Sequence, residues 1–495
     1  MPTFSQPRPE HSVLPTPQAS GTSPLSGPPP GATPLAVAAR VLWRVQSGAY
    51  AALALTAEMS KARLGNAERS LCTELCYGTL RNLSRLDRAL LSQMPRGQKK
   101  LDGLTQTFLR LGAYQLLFMQ AQPHFVVDAV VGQVKRLRGL RLSGFANAVL
   151  RALHRAGEPP LPPYPGSLAQ PTEKTVAALS LHHSLHPAFV RPYLSALPEV
   201  SEAPAALSAL GQPAPTWVRL NPLRAPLAEG LSRLGAELSA QPEVHAHLPD
   251  AVKLAGGHPF YGKAYGEGLF TAQDLAAQYV THFLHAPTEA GPLDLPPGNL
   301  LDACAGVGGK ACHVATLWPD RRVDALDRLP RKLELLSDHA RRLGCNNVRT
   351  VCCDWLKVSA PGDLDDLYAA VLLDAPCSGS GVLRRHPEAR NRPLNLDELV
   401  PLQAKLLDRA AQAVMPGGVL LYAVCSVFDS EGKDQIAAFL RRQSRFSPLS
   451  VALTDPLFCT GPWPLCDTAS RFAFRSWPHR HATDGFYAAR LVARW

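Results

Sequence analysis

The chain has 495 residues, of which 46% are hydrophobic, and it carries a formal net charge of +11. That length corresponds to roughly two to four domains, and the apolar content excludes a chain that is disordered throughout. The eleven cysteines form no Cys-x-x-Cys pair or Cys/His cluster at zinc spacing, so we expect neither a disulfide framework nor a metal site. Because no apolar run approaches about 18 residues and no secretory signal is seen, we expect a cytoplasmic protein without a membrane span.

Residues 1–34 are rich in Pro, Ser, Thr and Gly and are predicted to form a disordered leader. The positive charge follows it. Val37 to Arg155 contains eighteen Lys and Arg but six Asp and Glu, a net charge of +12, whereas the remainder is near neutral. Such a basic module favours a polyanion partner, most often nucleic acid, over a surface charged only for solubility. Because apolar residues recur at helical spacing, residues 35–157 are predicted to form an all-α domain.

The rest of the chain divides into three predicted parts. Residues 158–174 form a Pro-rich linker, because their prolines forbid a regular helix. Residues 175–264 mix short strand and helix patterns and are predicted to form a small α+β region. Residues 265–495 alternate strand, turn and helix, which predicts an α/β Rossmann-like domain with ligands bound at the carboxyl ends of parallel strands. Its predicted strands are Leu300–Asp302, Val323–Asp327, Val348–Cys352, Ala370–Asp374 and Val419–Tyr422.

A glycine-rich segment, Asp302 to Lys310, follows the first of these strands and precedes a helix. Its glycines allow a tight turn and a close approach of backbone to ligand. Asp327 ends the next strand, where a carboxylate can bind ribose hydroxyls, and Asp354 follows the third, where a side chain can reach an adenine edge. The turn alone is equally compatible with a structural role; with both acids in register, an adenosine-bearing cofactor is favoured. Gly-x-Gly-x-x-Gly is absent, which disfavours a dinucleotide, and Ala311 excludes a Walker loop.

Cys377 and Cys425 each come just after an apolar strand, on the side of the sheet where ligands bind. Other cysteines, such as Cys72 and Cys76, are expected to be small core residues. A thiolate that adds to carbon 6 of a cytosine makes carbon 5 nucleophilic enough to attack an electrophilic methyl group. The site must activate that thiol, because an ordinary pKa of about 8.5 leaves only a few per cent ionised at pH 7. Asp374 is the candidate for stabilising a protonated cytosine N3.

Several segments resemble motifs of the Nol/Nop/Sun family of RNA cytosine-5 methyltransferases, most closely of its bacterial Sun branch. The most specific segments are Cys304–Lys310, Asp374–Gly381 and Tyr422–Ser426. Weaker likenesses lie at Gly268–Asp274, Leu383–Glu388 and Asp484–Leu491. The basic module resembles the NusB-like RNA-binding domain of that branch. The resemblance covers nearly everything after about Leu35, and implies an RRM-like fold for residues 175–264 and a class I methyltransferase fold for residues 265–495.

This resemblance implies S-adenosyl-L-methionine as the cofactor and one cytosine of 16S ribosomal RNA as the substrate, on free or partly assembled small subunits. Cys425 would be the nucleophile, and Cys377 would assist breakdown of the covalent adduct. Asp374 would face both cofactor and base, and Lys310 would also reach the cytosine. Asp327 would bind the ribose and Asp354 would lie near the adenine. The loop lining the cofactor would consist of Cys304, Ala305, Gly306, Val307, Gly308, Gly309 and Lys310.

The first loop departs from the family pattern, which usually reads Cys-Ala-Ala-Pro-Gly-Gly-Lys-Thr. Gly306, Val307 and Ala311 differ from it, and Val424 stands where Thr is usual before the nucleophile. Two alternatives therefore stay open. One is a non-catalytic RNA-binding or ribosome assembly factor with a methyltransferase fold; the other is a cytosine-5 methyltransferase acting on another RNA, such as transfer RNA. DNA methylation is disfavoured, because DNA cytosine-5 enzymes take their nucleophile from the Pro-Cys loop and need no second cysteine.

Overall fold

A computed structural model describes residues 33–95, 101–164, 166–256, 259–357, 364–460, 464–466 and 470–494. The chain divides into two units. The first comprises Met1–Gln212 and Leu383–Leu394, and the second comprises Pro213–Val382 and Asn395–Trp495. The predicted leader lies almost entirely outside the described residues, so its disorder stays a prediction.

All regular secondary structure among the described residues of the first unit is helical. Its α-helices are α1 (Pro34–Gln46), α2 (Ala51–Ala62), α3 (Asn66–Arg81), α4 (Leu83–Ser92), α5 (Gly103–Leu117), α6 (Pro123–Ala156), α7 (Glu173–His183), α8 (Pro187–Ala196) and α9 (Ala203–Gly211). The all-α fold predicted for residues 35–157 is confirmed, since α1 to α6 occupy that range. Their apolar faces, spaced as the sequence predicted, meet in one buried cluster.

Polar groups fix two of these helices locally. The side chain of Asp102 caps α5 by accepting the backbone N–H of Thr105 at 3.1 Å, which satisfies an otherwise unpaired donor of the first turn. Asp87 of α4 and Arg110 of α5 form a buried two-bond ion pair, with both N–O distances 2.7 Å. The longest helix, α6, is interrupted at Gly139, whose φ of 82° and ψ of −178° are not helical. The chain can turn there because glycine has no Cβ.

The segment Leu383–Leu394 completes the first unit, although in sequence it follows the Asp374–Gly381 motif. Arg390 is fully buried and donates to backbone carbonyl oxygens of α7 and α9. Burial lowers the pKa of Arg390 to about 10. Glu388, also buried, accepts the backbone N–H of Ala51 at 3.1 Å. The Arg390 bonds satisfy carbonyl groups at the ends of α7 and α9, and the Glu388 bond satisfies an N–H group at the start of α2, all of which lack a partner within their own helix.

The second unit begins with a small α+β region. Its elements are β1 (Thr216–Leu220), α10 (Leu227–Ala236), β2 (Glu243–His245), β3 (Leu248–Leu254), α11 (Lys263–Gly266) and β4 (Phe270–Ala272). The four strands form an antiparallel sheet in the order β2-β3-β1-β4. Val218, Leu220, Val252 and Phe270 are buried in the core of this region. The mixed α+β character expected from the sequence is therefore present.

A larger sheet fills the rest of the second unit. Its elements are α12 (Leu275–His285), β5 (Leu300–Asp302), α13 (Gly309–Leu317), β6 (Val323–Asp327), α14 (Pro330–Leu343), β7 (Val348–Cys352), β8 (Tyr368–Asp374), α15 (Leu396–Gln412), β9 (Val414–Val424), α16 (Lys433–Arg442), β10 (Phe446–Pro448), β11 (Ala473–Ser476), α17 (Pro478–His481) and β12 (Phe486–Ala493). The strand order is β10-β12-β9-β8-β5-β6-β7, and β11 pairs with β12. The five strands from β9 to β7 are parallel, which confirms the Rossmann-like prediction, whereas β10, β11 and β12 add an antiparallel edge.

Two buried clusters of apolar side chains belong to this sheet and its helices. The residues of β8 from Tyr368 to Leu373 are all buried, as expected for a central parallel strand covered on both faces. This continuous apolar run is what made the strand recognisable in the sequence. Among the described residues, no helix has both the length and the apolar composition needed to cross a bilayer.

The units differ from the sequence-based boundaries in two places. Helices α7 to α9 belong to the first unit, whereas the sequence placed all but the first two residues of α7 in the α+β region of residues 175–264. The segment Leu383–Leu394 also belongs to the first unit, whereas the sequence placed it within residues 265–495. Both differences have the same cause. They depend on contacts between residues distant in sequence, such as that of Arg390 with α7, which local periodicity does not reveal.

Candidate active site

The glycine-rich loop lies between β5 and α13, at the carboxyl end of the sheet. Gly306 and Gly308 have φ values of 57° and 86°, the left-handed region that favours glycine. A Cβ on Gly308 would lie 2.5 Å from Cγ of Leu336, so the close approach of loop to helix α14 requires glycine. Gly306 and Val307, which replace the family's usual Ala-Pro, fit this loop. The side chain of Val307 is half exposed, and the turn is closed by a hydrogen bond of 2.9 Å from the backbone N–H of Gly308 to the carbonyl oxygen of Ala305.

The acids that the sequence placed at strand ends come together at this edge. Asp327, at the end of β6, accepts the backbone N–H of Gly306 at 3.1 Å and that of Leu329 at 2.9 Å. Asp354 follows β7 and lies partly exposed beside Lys357, 3.2 Å away. The register that pairs Asp327 with Cys352 brings these acids to neighbouring strand ends. Asp327 therefore fixes the glycine-rich loop next to the end of β6, where the sequence predicts that a ribose would bind.

Asp302, at the end of β5, belongs to this site although it was not among the predicted site residues. Its side chain is buried, and burial followed by the charge of Asp374 raises the pKa of Asp302 to about 7. One carboxyl oxygen of Asp302 has no hydrogen-bond partner. A buried polar atom without a partner is unfavourable unless a ligand satisfies it. The orphaned oxygen and the glycine loop therefore fit a polar cofactor. The sequence held a signal, since Asp302 ends its strand as Asp327 and Asp374 do.

Lys310 and Asp374 form the charged centre of the site. Nζ of Lys310 donates to Oδ2 of Asp374 at 2.7 Å and lies 4.9 Å from the centre of the Phe486 ring. Burial disfavours the ammonium, but the Asp374 carboxylate outweighs it and raises the pKa of Lys310. Lys310 is therefore a fixed cation at neutral pH. The second oxygen of Asp374 is left for a further contact.

Cys377 and Cys425 lie side by side, with their Sγ atoms 3.3 Å apart. They meet because β8 and β9 are neighbouring parallel strands whose register pairs Asp374 with Ala423, so the loops that follow emerge together. The hydrogen bond with Cys425, then burial, raises the pKa of Cys377 well above its ordinary value. The sulfur of Cys425 lies near enough to Lys310 that a negative charge on it also raises the pKa of Lys310, by less than Asp374 does. The site thus places a cation near one thiol and keeps the other protonated.

Charged residues of a different kind lie on α6. Lys135, Arg136 and Arg141 are exposed, whereas Arg138 is half-buried and pairs with Asp102 at 3.1 Å. Three of these four cations of the basic module are therefore on the surface of the first unit. Arg138 pairs with Asp102, the N-cap residue of α5, and so also helps to stabilise the packing of α6 against α5.

One grouping of metal-ligand residues occurs elsewhere in the described part of the second unit. Asp250 lies 3.7 Å from Nε2 of His282 and 4.0 Å from Nε2 of His313. These separations exceed the roughly 3.3 Å between ligands of a tetrahedral zinc ion. Buried Arg219 also interacts with Asp250; burial lowers the pKa of Arg219 and the Asp250 charge opposes that shift. Asp250 is accounted for as the counter-charge of this buried group.

Comparison with known proteins gives concordant results for both units. The family described as 16S rRNA methyltransferase RsmB/F matches residues 294–492, and the NusB family matches residues 33–155. The chain is 30% identical over 436 residues to ribosomal RNA small subunit methyltransferase B of Salmonella typhi, covering 87% of this chain and 92% of that protein.

Solved structures share the fold. The crystal structure of PH0851 matches with a TM-score of 0.74 and 22% identity, covering 94% of this chain and 99% of that one. NSun6 from Pyrococcus horikoshii with SFG matches with a TM-score of 0.52 and 19% identity, covering 61% of this chain and 97% of that one. At these identities the likeness concerns the fold alone.

Proposed function

Because this chain belongs to the RsmB/F family of S-adenosylmethionine-dependent ribosomal RNA small subunit methyltransferases, we propose that it methylates carbon 5 of one cytosine in 16S ribosomal RNA. Methylation at carbon 5 through a covalent cysteine adduct is supported by one observation. The thiols of Cys377 and Cys425 lie 3.3 Å apart, beside the Lys310–Asp374 ion pair. Two thiols at one sheet edge suit a reaction in which one adds to the base and the other helps release the product.

The first step is addition of the Cys425 thiolate to carbon 6 of the cytosine. A sulfur–carbon bond forms, and the electron pair of the 5,6 double bond becomes available at carbon 5. Lys310 stabilises the thiolate, because its ammonium is held in the site by Asp374. As the adduct forms, N3 of the cytosine takes up a proton from solvent. The N3–H then donates a hydrogen bond to the second oxygen of Asp374, which offsets charge on the ring. Carbon 5 is then a nucleophile.

S-adenosyl-L-methionine supplies the electrophilic methyl group when bound. The residues that would hold it are the loop from Cys304 to Lys310, with Asp302 and Asp327 at the ends of β5 and β6 and Asp354 after β7. The unpartnered oxygen of buried Asp302 and the glycine at position 308 are the structural features that favour such a ligand. Gly308 is the N-cap of α13, and the backbone N–H groups of the first turn of that helix offer additional donors.

In the last step a water molecule takes the carbon 5 proton, and the electron pair left behind re-forms the 5,6 double bond. The bond between carbon 6 and Sγ of Cys425 breaks, Cys425 leaves as a thiolate, and N3 returns its proton to solvent. Cys377, held as a thiol 3.3 Å from Cys425, assists this release. The target base must leave any stack to reach these thiols, at a cost of about a few kcal/mol, so a loop or bulge of the RNA is favoured. Free or partly assembled small subunits would present such a site.

Bisulfite sequencing of 16S ribosomal RNA tests the proposal, using cells that contain the wild-type gene, lack it, or carry Cys425→Ala. We expect one cytosine to lose methylation in the last two. An unchanged 16S pattern accompanied by a change in transfer RNA would move the substrate to that RNA. No change in any RNA, together with no binding of S-adenosylmethionine by calorimetry, would favour the non-catalytic assembly factor.

The two cysteine roles need a separate test. With purified protein and RNA transcript, Cys377→Ala should accumulate a covalent protein–RNA adduct that survives denaturing electrophoresis. Cys425→Ala should form none. An adduct in Cys425→Ala but not in Cys377→Ala would reverse the assignment.

A further inference from the structure

Glu431 is a buried carboxylate that joins the two cysteine loops. It lies six residues after Cys425 and has no solvent exposure. Ser378 directly follows Cys377, and Ser426 directly follows Cys425. Both serines donate to Glu431. The side chain therefore contacts the residue next to each thiol.

The bonds are short and numerous. Oε1 of Glu431 accepts the backbone N–H of Ser378 at 2.8 Å and the side-chain amide of Gln403 at 3.0 Å. Oε2 accepts the hydroxyls of Ser378 and Ser426, each at 2.5 Å. A carboxylate accepts about four hydrogen bonds and donates none, so all of its capacity is used. Because the group is buried, these bonds are stronger than they would be in water.

The surrounding residues support the same arrangement. The amide of Gln403 also donates to the backbone carbonyl of Pro376 at 3.0 Å, on the other side of Cys377. The hydroxyl of Tyr422 donates to the backbone carbonyl of Glu431 at 2.7 Å. Each loop is thus tied to one carboxylate whose own backbone is anchored to β9.

We propose that Glu431 is a positioning residue for the reaction proposed above, and that it clamps the two cysteine loops at the separation at which one base meets both thiols. The inference rests on that proposed function. The clamp matters because both sulfurs must meet a single pyrimidine ring, and a misplacement of about 1 Å can reduce a rate by about 100-fold. Neither cysteine loop can shift without breaking a bond to Glu431.

The charge of Glu431 has a second effect. It adds to the hydrogen bond with Cys425 and to burial in raising the pKa of Cys377. A neighbouring negative charge disfavours a second negative charge on the sulfur. Cys377 is thereby kept as a thiol, the form that can donate a proton during release of the product.

Two substitutions separate the clamp from the charge. In Glu431→Gln the amide oxygen can take the place of Oε1, which faces two obligate N–H donors. The amide nitrogen can take the place of Oε2, which faces two hydroxyls that can reverse and accept. The clamp is then retained without its charge. Glu431→Ala removes both. The matched control is Glu398→Gln, which removes a negative charge from an exposed position on α15.

The first measurement is the pH dependence of alkylation of reduced protein by iodoacetamide, with the Cys377 and Cys425 peptides quantified by mass spectrometry. Glu431→Gln should move the alkylation of Cys377 to lower pH, whereas Glu398→Gln should not. The second is the single-turnover methylation rate at saturating cofactor. Glu431→Ala should slow it by about 100-fold, and Glu431→Gln by less than about tenfold, with cofactor affinity unchanged.

A Cys377 alkylation profile in Glu431→Gln identical to that of the control would overturn the charge effect. A methylation rate in folded Glu431→Ala equal to that of wild type would overturn the clamp. Should the alanine variant not fold, Ser426→Ala, which cuts one arm of the clamp, replaces it with the same expected direction. If wild-type protein methylates no RNA, the proposed function fails, yet the alkylation profiles still report on Glu431.

Discussion

The two units place charge in opposite ways. In the first, the cations of α6 are mostly exposed and separated from acids, so their field reaches into solvent. In the second, Lys310, Asp374, Asp302 and Glu431 are wholly or largely buried and face one another or fixed donors. Exposed charges act over about 8–10 Å and weaken with salt, whereas buried ones act on single atoms. The first arrangement suits holding a polyanion, and the second suits controlling a reaction.

The largest effect that separates the units is expected for Cys425→Ala. Methylation should become undetectable, because the neighbouring Cys377 is held as a thiol and does not replace the lost nucleophile. RNA affinity and cofactor affinity should stay within about twofold of wild type. Filter binding and calorimetry measure the affinities. A fall in RNA affinity equal to that of an α6 variant would show that the two units do not divide the work.

Within the first unit, Asp87→Asn should lower the free energy of unfolding by about 3–5 kcal/mol, because it leaves the buried guanidinium of Arg110 without its counter-charge. Urea unfolding followed by circular dichroism measures this. The control is Glu173→Gln, which breaks an exposed ion pair with Arg191 and should cost less than about 1 kcal/mol. Equal losses in both variants would contradict the importance of burial.

Within the second unit, Asp302 should make stability depend on pH. Its pKa is raised to about 7 by burial and by Asp374, whereas in the unfolded chain it is near the ordinary value of about 3.9. Folding therefore takes up a proton between those values. The contribution of Asp302 is fully present below about pH 4 and is lost as pH rises to about 7, at roughly 1.4 kcal/mol per unit crossed.

Asp302→Asn should remove this dependence. Compared with wild type, the variant should become relatively more stable at pH 8 than at pH 5 in urea unfolding. Glu334→Gln, at an exposed position of α14, is the control and should leave the wild-type slope unchanged. Parallel slopes for wild type and Asp302→Asn would show that the carboxyl titrates normally.

The smallest effect per residue is expected on α6. Neutralising Lys135, Arg136, Arg138 and Arg141 should weaken RNA binding and flatten its dependence on the logarithm of salt concentration by about 0.7–0.9 per lost phosphate contact. Cofactor affinity should not change. Neutralising Lys263 and Arg341, exposed cations of the second unit, is the control. A change in cofactor affinity in the α6 variant would contradict the assignment of RNA binding to the first unit and cofactor binding to the second.

Periodicity and strand ends were readable in the sequence. The strands from β5 to β9 were predicted because a central parallel strand, such as β8, is apolar along its length. The positions of Asp327, Asp374, Cys377 and Cys425 at the carboxyl edge followed from the alternation of strands and helices. Lys310 was found from its place in the glycine loop. Such features depend on residues near one another in the chain.

Other features depend on contacts between distant segments. The segment Leu383–Leu394 could not be assigned to the helical unit, because Arg390 binds carbonyls about 200 positions away in sequence. The raised pKa of Asp302 follows from burial, which its position at a strand end does not specify. Glu431 carried no signal, since it lies seven residues beyond the end of β9 rather than at the strand end, and a glutamate in a connecting segment is usually exposed.

The sequence by itself determined that a helical, basic domain precedes an α/β domain, and it determined which reactive residue types follow the parallel strands, because these features depend on local hydrophobic period and composition. Only the tertiary structure decided that two thiols stand 3.3 Å apart and that one buried carboxylate holds both of their loops. Those distances depend on the register of neighbouring strands and on hydrogen bonds across the sheet edge, and neither is written in the local pattern of residues.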